Sequence, residues 1–233
     1  MSTSRATQRM DERTAFVQPG IGRLVLRRFD PRHDSWEGLT RLLHRAFARL
    51  ASLGLHCSCA DQAASMTRER ALAGDCFVAV CNGRMVGTLT VEGRDSSSHC
   101  EYYRQRSVAS VHQFGIEPKW QSRGIGRALL AFAGHWAAAR GYTQIALDTP
   151  FAADHLVAFY RAQGFSLVDV VRFAGRGYDS AVFSKAAAVR GGLAPACLPG
   201  ETSRAVSRGV VQSARMNEHK THAFCIGAAS RSR

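Results

Sequence analysis

The chain has 233 residues, a 45% hydrophobic fraction and a formal net charge of +13. That length suits one sizeable domain with extensions, and the apolar fraction is ordinary for a globular protein. No run reaches the ~18 apolar residues of a membrane-spanning helix, and residues 1–16 lack a signal-peptide core, so a cytoplasmic protein is expected.

Residues 1–21 are polar and contain Pro19-Gly20, which suggests a flexible leader. Residues 22–29, GRLVLRRF, fit a first strand, ended by Asp30-Pro31. From Ser35 to Leu50, apolar residues recur at helical spacing, with Asp34 or Ser35 as N-cap. Residues 51–60 suggest a loop or broken helix. A second helix is expected over 61–73 and stops at Gly74. Cys76 to Cys81, Asn82-Gly83 and Arg84 to Glu92 form a hairpin pattern, because Asn-Gly suits a tight turn of positive φ. Residues 93–106 are polar and loop-like. A strand is expected over 107–117, a helix over 124–140 ending at Gly141, and a strand over 143–148. A helix over 154–163 ends at Gly164, and closing strands span 165–173 and 178–185. Residues 186–233 are rich in Ala, Gly, Ser and Arg with weak periodicity, so a basic, disordered extension is expected. The order implies an α/β domain with a largely antiparallel sheet and one local parallel crossover.

Seven cysteines are scattered, an odd number. Cys76 and Cys81 look like core thiols. His56, Cys57 and Cys59 lack a second Cys or His pair at zinc spacing, so a plain loop is expected there and no metal. The positive charge is spread along the chain with no aromatic-interleaved basic stripe, which argues against a nucleic-acid partner.

The stretch HQFGIEPKWQSRGIGRALL, residues 112–130, carries the functional reading. A strand ends near Pro118, a glycine turn follows at Gly124 and Gly126, and a helix begins at once. A helix N-terminus has unpaired N–H groups and partial positive charge, so it suits an anion. Glycines let a phosphate approach the backbone. The P-loop pattern is missing, and the dinucleotide fingerprint fails because Leu129 stands where a third glycine is required. No Gly-x-Ser-x-Gly elbow supports Ser-His-Asp chemistry.

QFGIEPKWQSRGIGRALL resembles the acetyl-CoA signature of the GNAT superfamily of N-acetyltransferases. LDTPFAADHLVAFYRAQGF, residues 147–165, resembles that superfamily's following motif, with its helix tyrosine and Gly-Phe. The resemblance covers residues 22–185 and implies the acyl-CoA N-acyltransferase fold, a twisted, mostly antiparallel mixed sheet flanked by helices and split at a central bulge. It implies acetyl-CoA as acyl donor, with pantetheine along Phe114, Gly115 and Ile116. The pyrophosphate would lie on Gln121, Ser122, Arg123, Gly124, Ile125, Gly126 and Arg127. Tyr160 matches the family's general acid, and a phenol of reference pKa ~10 is protonated at neutral pH.

His112 falls where the arylalkylamine branch carries a histidine, and Ser110 where the histone branch carries its glutamate. Strand alternation places Ser110, His112, Phe114 and Ile116 on one face. His112, of reference pKa ~6.5, is the candidate base, although a structural hydrogen bond within the sheet explains it equally well. Glu117 and Glu92 are weaker candidates. Ala153 stands where several branches carry a cofactor-contacting asparagine. Tyr102, Tyr103 and Arg104 either line an acceptor pocket or cover the core edge. The expected partners are therefore acetyl-CoA and an amine-bearing acceptor, small molecule or protein, with no membrane. Relatives are often dimers, so a homodimer fits. A non-catalytic CoA-binding regulator of the same fold and a basic nucleic-acid-binding protein are the alternatives.

Overall fold

The sheet is organised around the Asn82-Gly83 hairpin. Asn82 and Gly83 both take positive φ, 48° and 74°, and join β3 (Asp75–Cys81) to β4 (Arg84–Glu92) in antiparallel register. Such a pair matches the twist of the flanking strands. A computed structural model describes the backbone of residues 13–18 and residues 22–188 in full. The extension expected over 186–233 falls almost wholly outside them. Among the described residues, no helix is long and apolar enough to cross a membrane.

Eight strands form one sheet in the order β1-β2-β3-β4-β5-β6-β8-β7. The others are β1 (Arg13–Gln18), β2 (Gly22–Arg28), β5 (Val108–Ile116), β6 (Gln144–Pro150), β7 (Ser166–Val171) and β8 (Ser180–Ala186). Every neighbouring pair is antiparallel except β5 and β6, which α3 (Ile125–Ala139) connects. This is the mixed α/β sheet expected from the sequence. One element differs: residues 13–18 fall in the expected flexible leader, yet they pair with β2 from Arg13↔Arg27 to Gln18↔Gly22. The segment's sequence includes Thr14, Phe16 and Val17, residue types that favour strands, and the polar stretch before them masked the signal.

Helices cover both faces. On one lie α1 (Trp36–Ser52) and α2 (Ala64–Leu72), packed through Leu39 and Ala71 against Phe29, Cys76 and Val78. Ser35 caps α1 by accepting from the Gly38 N–H at 3.0 Å, a contact of about 1 kcal/mol. On the other face, Ile125, Leu129, Leu130, Ala133 and Trp136 of α3 meet Phe77, Leu89 and Val91 in the main core. Each fully buried leucine there contributes roughly 1.5–3 kcal/mol. Helix α4 (Asp154–Ala162) leads to Gly164, whose φ of 82° reverses the chain into β7.

Candidate active site

Strands β5 and β6 pair from Val108↔Gln144 to Val111↔Leu147 and then separate, although β5 runs on to Ile116 and β6 to Pro150. The cause lies on the other side of β5. Thr90 pairs with His112 and Thr88 with Gly115, so Leu89 alone faces both Gln113 and Phe114. This is a β-bulge, and Gln113 adopts φ 47° to make it. A bulge bends its strand, and here β5 turns away from β6 and opens a gap. Gln113 is buried, its Oε1 accepts from the Thr90 hydroxyl at 3.4 Å, and its Nε2 has no partner.

The bulge also corrects the expected alternation. One extra residue inverts the side-chain period beyond it. Ser110 and His112 lie on the α1 face, where the His112 ring meets Tyr103 edge-on at 5.9 Å. Gly115 lies on that face too, since a Cβ there would stand 3.0 Å from the Ala46 Cβ of α1. Phe114 and Ile116 lie on the opposite face, packed with α3 and α4. The four residues expected on one face are therefore split two and two.

At the end of β5, a 3₁₀ turn over Pro118–Trp120 leads into the glycine loop. The Gln121 side chain donates to the Ile116 carbonyl at 3.1 Å and ties the loop to the strand. Ser122 and Gly124 take positive φ, 58° and 78°. Gly124 is the N-cap of α3, with no side-chain cap and no acidic residue in the first turn. The first helical bond runs from Ala128 N–H to the Gly124 carbonyl, which leaves the amides of Ile125, Gly126 and Arg127 without intrahelical acceptors. Ile125 is buried, so only its main chain is offered. Gln121, Ser122, Arg123 and Arg127 are exposed, and the Arg123 guanidinium lies 5.3 Å from the Trp120 ring. At Gly126 a Cβ would stand 3.3 Å from Phe114 Cζ and 3.4 Å from Phe159 Cζ, so glycine lets α3 and α4 close on β5.

Tyr160 stands over the gap. Its ring lies 6.4 Å from Phe114 of β5 and 6.0 Å from Phe183 of β8, the strand on the far side of β6. The hydroxyl has no hydrogen-bond partner among the described residues. The Tyr160 side chain is buried. Burial, and then the Asp148 carboxylate, hold its pKa far above the usual phenol range.

On the opposite face, His112 and Asp148 each sit one residue past the last β5–β6 pair. His112 Nε2 contacts Ser110 Oγ at 2.8 Å and lies 3.9 Å from Glu92 Oε2. The Tyr103 hydroxyl donates to Asp148 Oδ1 at 3.3 Å, while Arg176 binds Asp148 Oδ2 and Ser180 Oγ. Burial and the same carboxylate push the Tyr103 phenol well above its ordinary value. Tyr103 is itself buried, so it covers the core edge while bridging the two strands. Ala153 is buried at the N-cap of α4, whereas Asp154 and His155 beside it are exposed. Asp148 and Arg176 escaped the sequence reading because 28 residues separate them. A carboxylate at the end of a β-run next to the chemical motif was the one available signal. Among the described residues, no group of three or more His, Cys, Asp or Glu is placed to hold a metal ion.

The sequence pattern of the Acetyltransferase (GNAT) family matches residues 36–165. An uncharacterised N-acetyltransferase of Methanocaldococcus jannaschii is 30% identical over 96 residues, which spans 41% of this chain and 41% of that protein. A structure described as a GNAT-family acetyltransferase from Desulfovibrio desulfuricans superposes with TM-score 0.55 and 20% identity, covering 71% of this chain and 99% of its own. An acetyltransferase from Streptococcus agalactiae gives TM-score 0.53 and 20% identity, covering 70% and 98%. At that identity the two structures speak for the fold alone. The matched pattern contains the bulged strand, the glycine loop and Tyr160, and it spans more than half of the sequence. The chain therefore belongs to the acetyltransferase (GNAT) family.

Proposed function

We propose that the protein is an acetyl-CoA-dependent N-acetyltransferase that modifies a primary amine. The observation that carries this reading is the gap between β5 and β6, with uncapped α3 amides at its end. These features suit the donor. The amides of Ile125, Gly126 and Arg127 would hold a diphosphate, with Gln121 to Gly124 shaping the loop around it. The free edge of β5 from Phe114 to Ile116 offers main-chain partners to an extended amide chain. When bound, acetyl-CoA supplies an acetyl thioester activated toward amines.

The residues then divide by face. His112 takes a proton from the acceptor ammonium, since an ammonium has no lone pair to give. Asp148, across the opening, is engaged through both oxygens by Tyr103 and Arg176, so it fixes the wall of the acceptor side. A main-chain amide near Ile116 polarises the acetyl oxygen. Tyr160 gives its hydroxyl proton to the departing sulfur. Its raised pKa keeps the phenol protonated at neutral pH, so the hydroxyl is available to hydrogen-bond the sulfur as it gains charge, and the same shift makes it a weaker acid for full transfer. In this reading residues 22–185 carry the activity, with β1 as an added edge strand.

The test is thiol release from acetyl-CoA across a panel of small amines, peptide N-termini and lysine peptides. An active acceptor is expected. Tyr160→Phe should lower turnover about 10²-fold while leaving acetyl-CoA affinity unchanged. Calorimetry showing no acetyl-CoA binding to the folded chain would refute the donor assignment. An unchanged Tyr160→Phe rate would remove the proton donor.

A further inference from the structure

The imidazole of His112 is held from one end. Glu92, at the end of β4, pairs directly with Ser110 of β5, and Thr90 pairs with His112. Facing residues of an antiparallel pair share one side of the sheet, so all four side chains lie on the α1 face. The ring leans back along its own strand over the Glu92–Ser110 pair. Its Nε2 meets Ser110 Oγ at 2.8 Å and lies 3.9 Å from Glu92 Oε2. Ser110 is buried, whereas the His112 side chain keeps 22% exposure, which leaves the ring open to a substrate. The other polar neighbours are engaged elsewhere. The Thr90 hydroxyl donates to Gln113 Oε1, and the Tyr103 hydroxyl donates to Asp148 Oδ1. His112 Nδ1 has no hydrogen-bond partner among the described residues.

On the reading of His112 as base, we propose that Ser110 and Glu92 are its positioning residues: they hold the ring with its proton on Nε2 and leave the Nδ1 lone pair to receive the proton of the acceptor. A neutral imidazole has one N–H and one acceptor nitrogen, and the partner of one nitrogen fixes the role of the other. A serine hydroxyl donates or accepts, so Ser110 alone does not choose between the tautomers. An ionised carboxylate only accepts. Beside Glu92 an Nε2–H is attracted, whereas an Nε2 lone pair would face a negative oxygen. The form with Nε2–H directed at Ser110 Oγ is therefore favoured, and the bond to Ser110 fixes the ring's orientation.

The proton step balances. An N–H bond of the acceptor ammonium breaks and an Nδ1–H bond forms. The electron pair of the broken bond stays on the amine as its nucleophilic lone pair. The ring becomes an imidazolium whose Nε2–H still donates to Ser110, and the proton later passes to solvent. Glu92 takes no proton, because its carboxylate stands at Nε2 and the transferred proton arrives at Nδ1.

The experiment records proton–nitrogen NMR spectra of the full chain with isotope-labelled histidine, at a pH where the ring is neutral. The His112 signals are those missing from His112→Gln. A hydrogen-bonded Nε2–H exchanges slowly with water and gives a cross-peak, which a ring without that bond loses. Wild type should show the Nε2–H cross-peak and an unprotonated Nδ1. Ser110→Ala should lose the cross-peak and lower kcat about tenfold, part of what a positioned base supplies, with an unchanged acceptor KM because the hydroxyl touches no substrate. Glu92→Gln should add a second set of ring signals with the proton on Nδ1. The spectra need no turnover: an Nε2–H ring in a chain that acetylates no amine counts against the acetyltransferase reading and still supports Ser110 and Glu92 as the groups that hold the tautomer. A wild-type ring protonated on Nδ1 overturns the proposal, as does a Ser110→Ala enzyme with wild-type kcat. If Ser110→Ala does not fold, Glu92→Gln decides, and a ring that stays wholly protonated on Nε2 there overturns it.

Discussion

Arg45 on α1 grips Glu117 at the end of β5 through two nitrogens, with Nε at 2.8 and 3.0 Å and Nη2 at 2.7 Å from the carboxylate oxygens. Both carboxylate oxygens are engaged, so Glu117 is poorly placed to accept a proton from a substrate. Glu117→Gln is therefore expected to leave the pH profile of turnover unchanged. Arg45 is half exposed, so the lost pair should cost under ~1 kcal/mol in a denaturant melt. A shifted acidic limb would restore Glu117 as a base.

His112 and Asp148 should separate by what they damage. His112→Gln should slow turnover at neutral pH by about 10²-fold, with recovery as rising pH deprotonates the amine in solution. Asp148→Asn should also destabilise the fold, because Arg176 would keep a half-buried charge without its counter-ion. The cost should be about 2 kcal/mol, below the range for a fully buried pair, since the Arg176 side chain retains 26% exposure. Arg176→Met together with Asp148→Asn should recover part of that stability. A pH–rate series and urea melts on the same variants check both statements.

Stability should fall in alkali. Burial chiefly raises Tyr160 in the folded state, and it pushes Tyr178 up to about 12. Above pH ~10 the unfolded chain releases these protons while the folded chain keeps them. The stabilisation is thus complete below pH ~10 and is lost as pH rises through the folded values. Each such tyrosine contributes a slope of about 1.4 kcal/mol per pH unit. Tyr160→Phe should melt near wild type at pH 7, because the hydroxyl has no partner to lose. It should melt higher than wild type near pH 11. Identical alkaline curves would show that Tyr160 ionises as an exposed phenol does.

Gly126 should accept a methyl group but not a branched side chain. A methyl group at 3.3 Å from Phe114 Cζ needs only a few tenths of an ångström of ring movement. The better helix propensity of alanine offsets that strain by about 1 kcal/mol. Gly126→Ala should therefore change stability little, while Gly126→Val should destabilise α3 and raise the KM for acetyl-CoA. A valine variant with wild-type KM would show that close packing at this position does not shape the donor cradle.

The sequence made the local signals readable. Ser35 as a cap, Asn82-Gly83 as a turn and Gly124 before α3 each depend on a few neighbouring residues, and each stands where expected. The bulge was legible as part of a family fold but not as a residue. Nothing in VHQFGI marks Gln113 for positive φ, because the register against β4 decides it. The faces of Phe114 and Ile116 were misassigned for that reason. Asp148 and Arg176 depend on a long-range pairing that no local pattern encodes. Strand β1 was hidden by its polar surroundings rather than by its own residues.

The inserted residue at Gln113 makes one strand two-sided along its length. Its first half turns His112 toward α1, and its second half turns Phe114 and Ile116 toward α3. In the proposed reaction donor and acceptor would therefore arrive from opposite directions, and neither would have to depart before the other docks. Initial-rate lines measured at several fixed donor concentrations should intersect, as they do when both substrates are held together, and not run parallel.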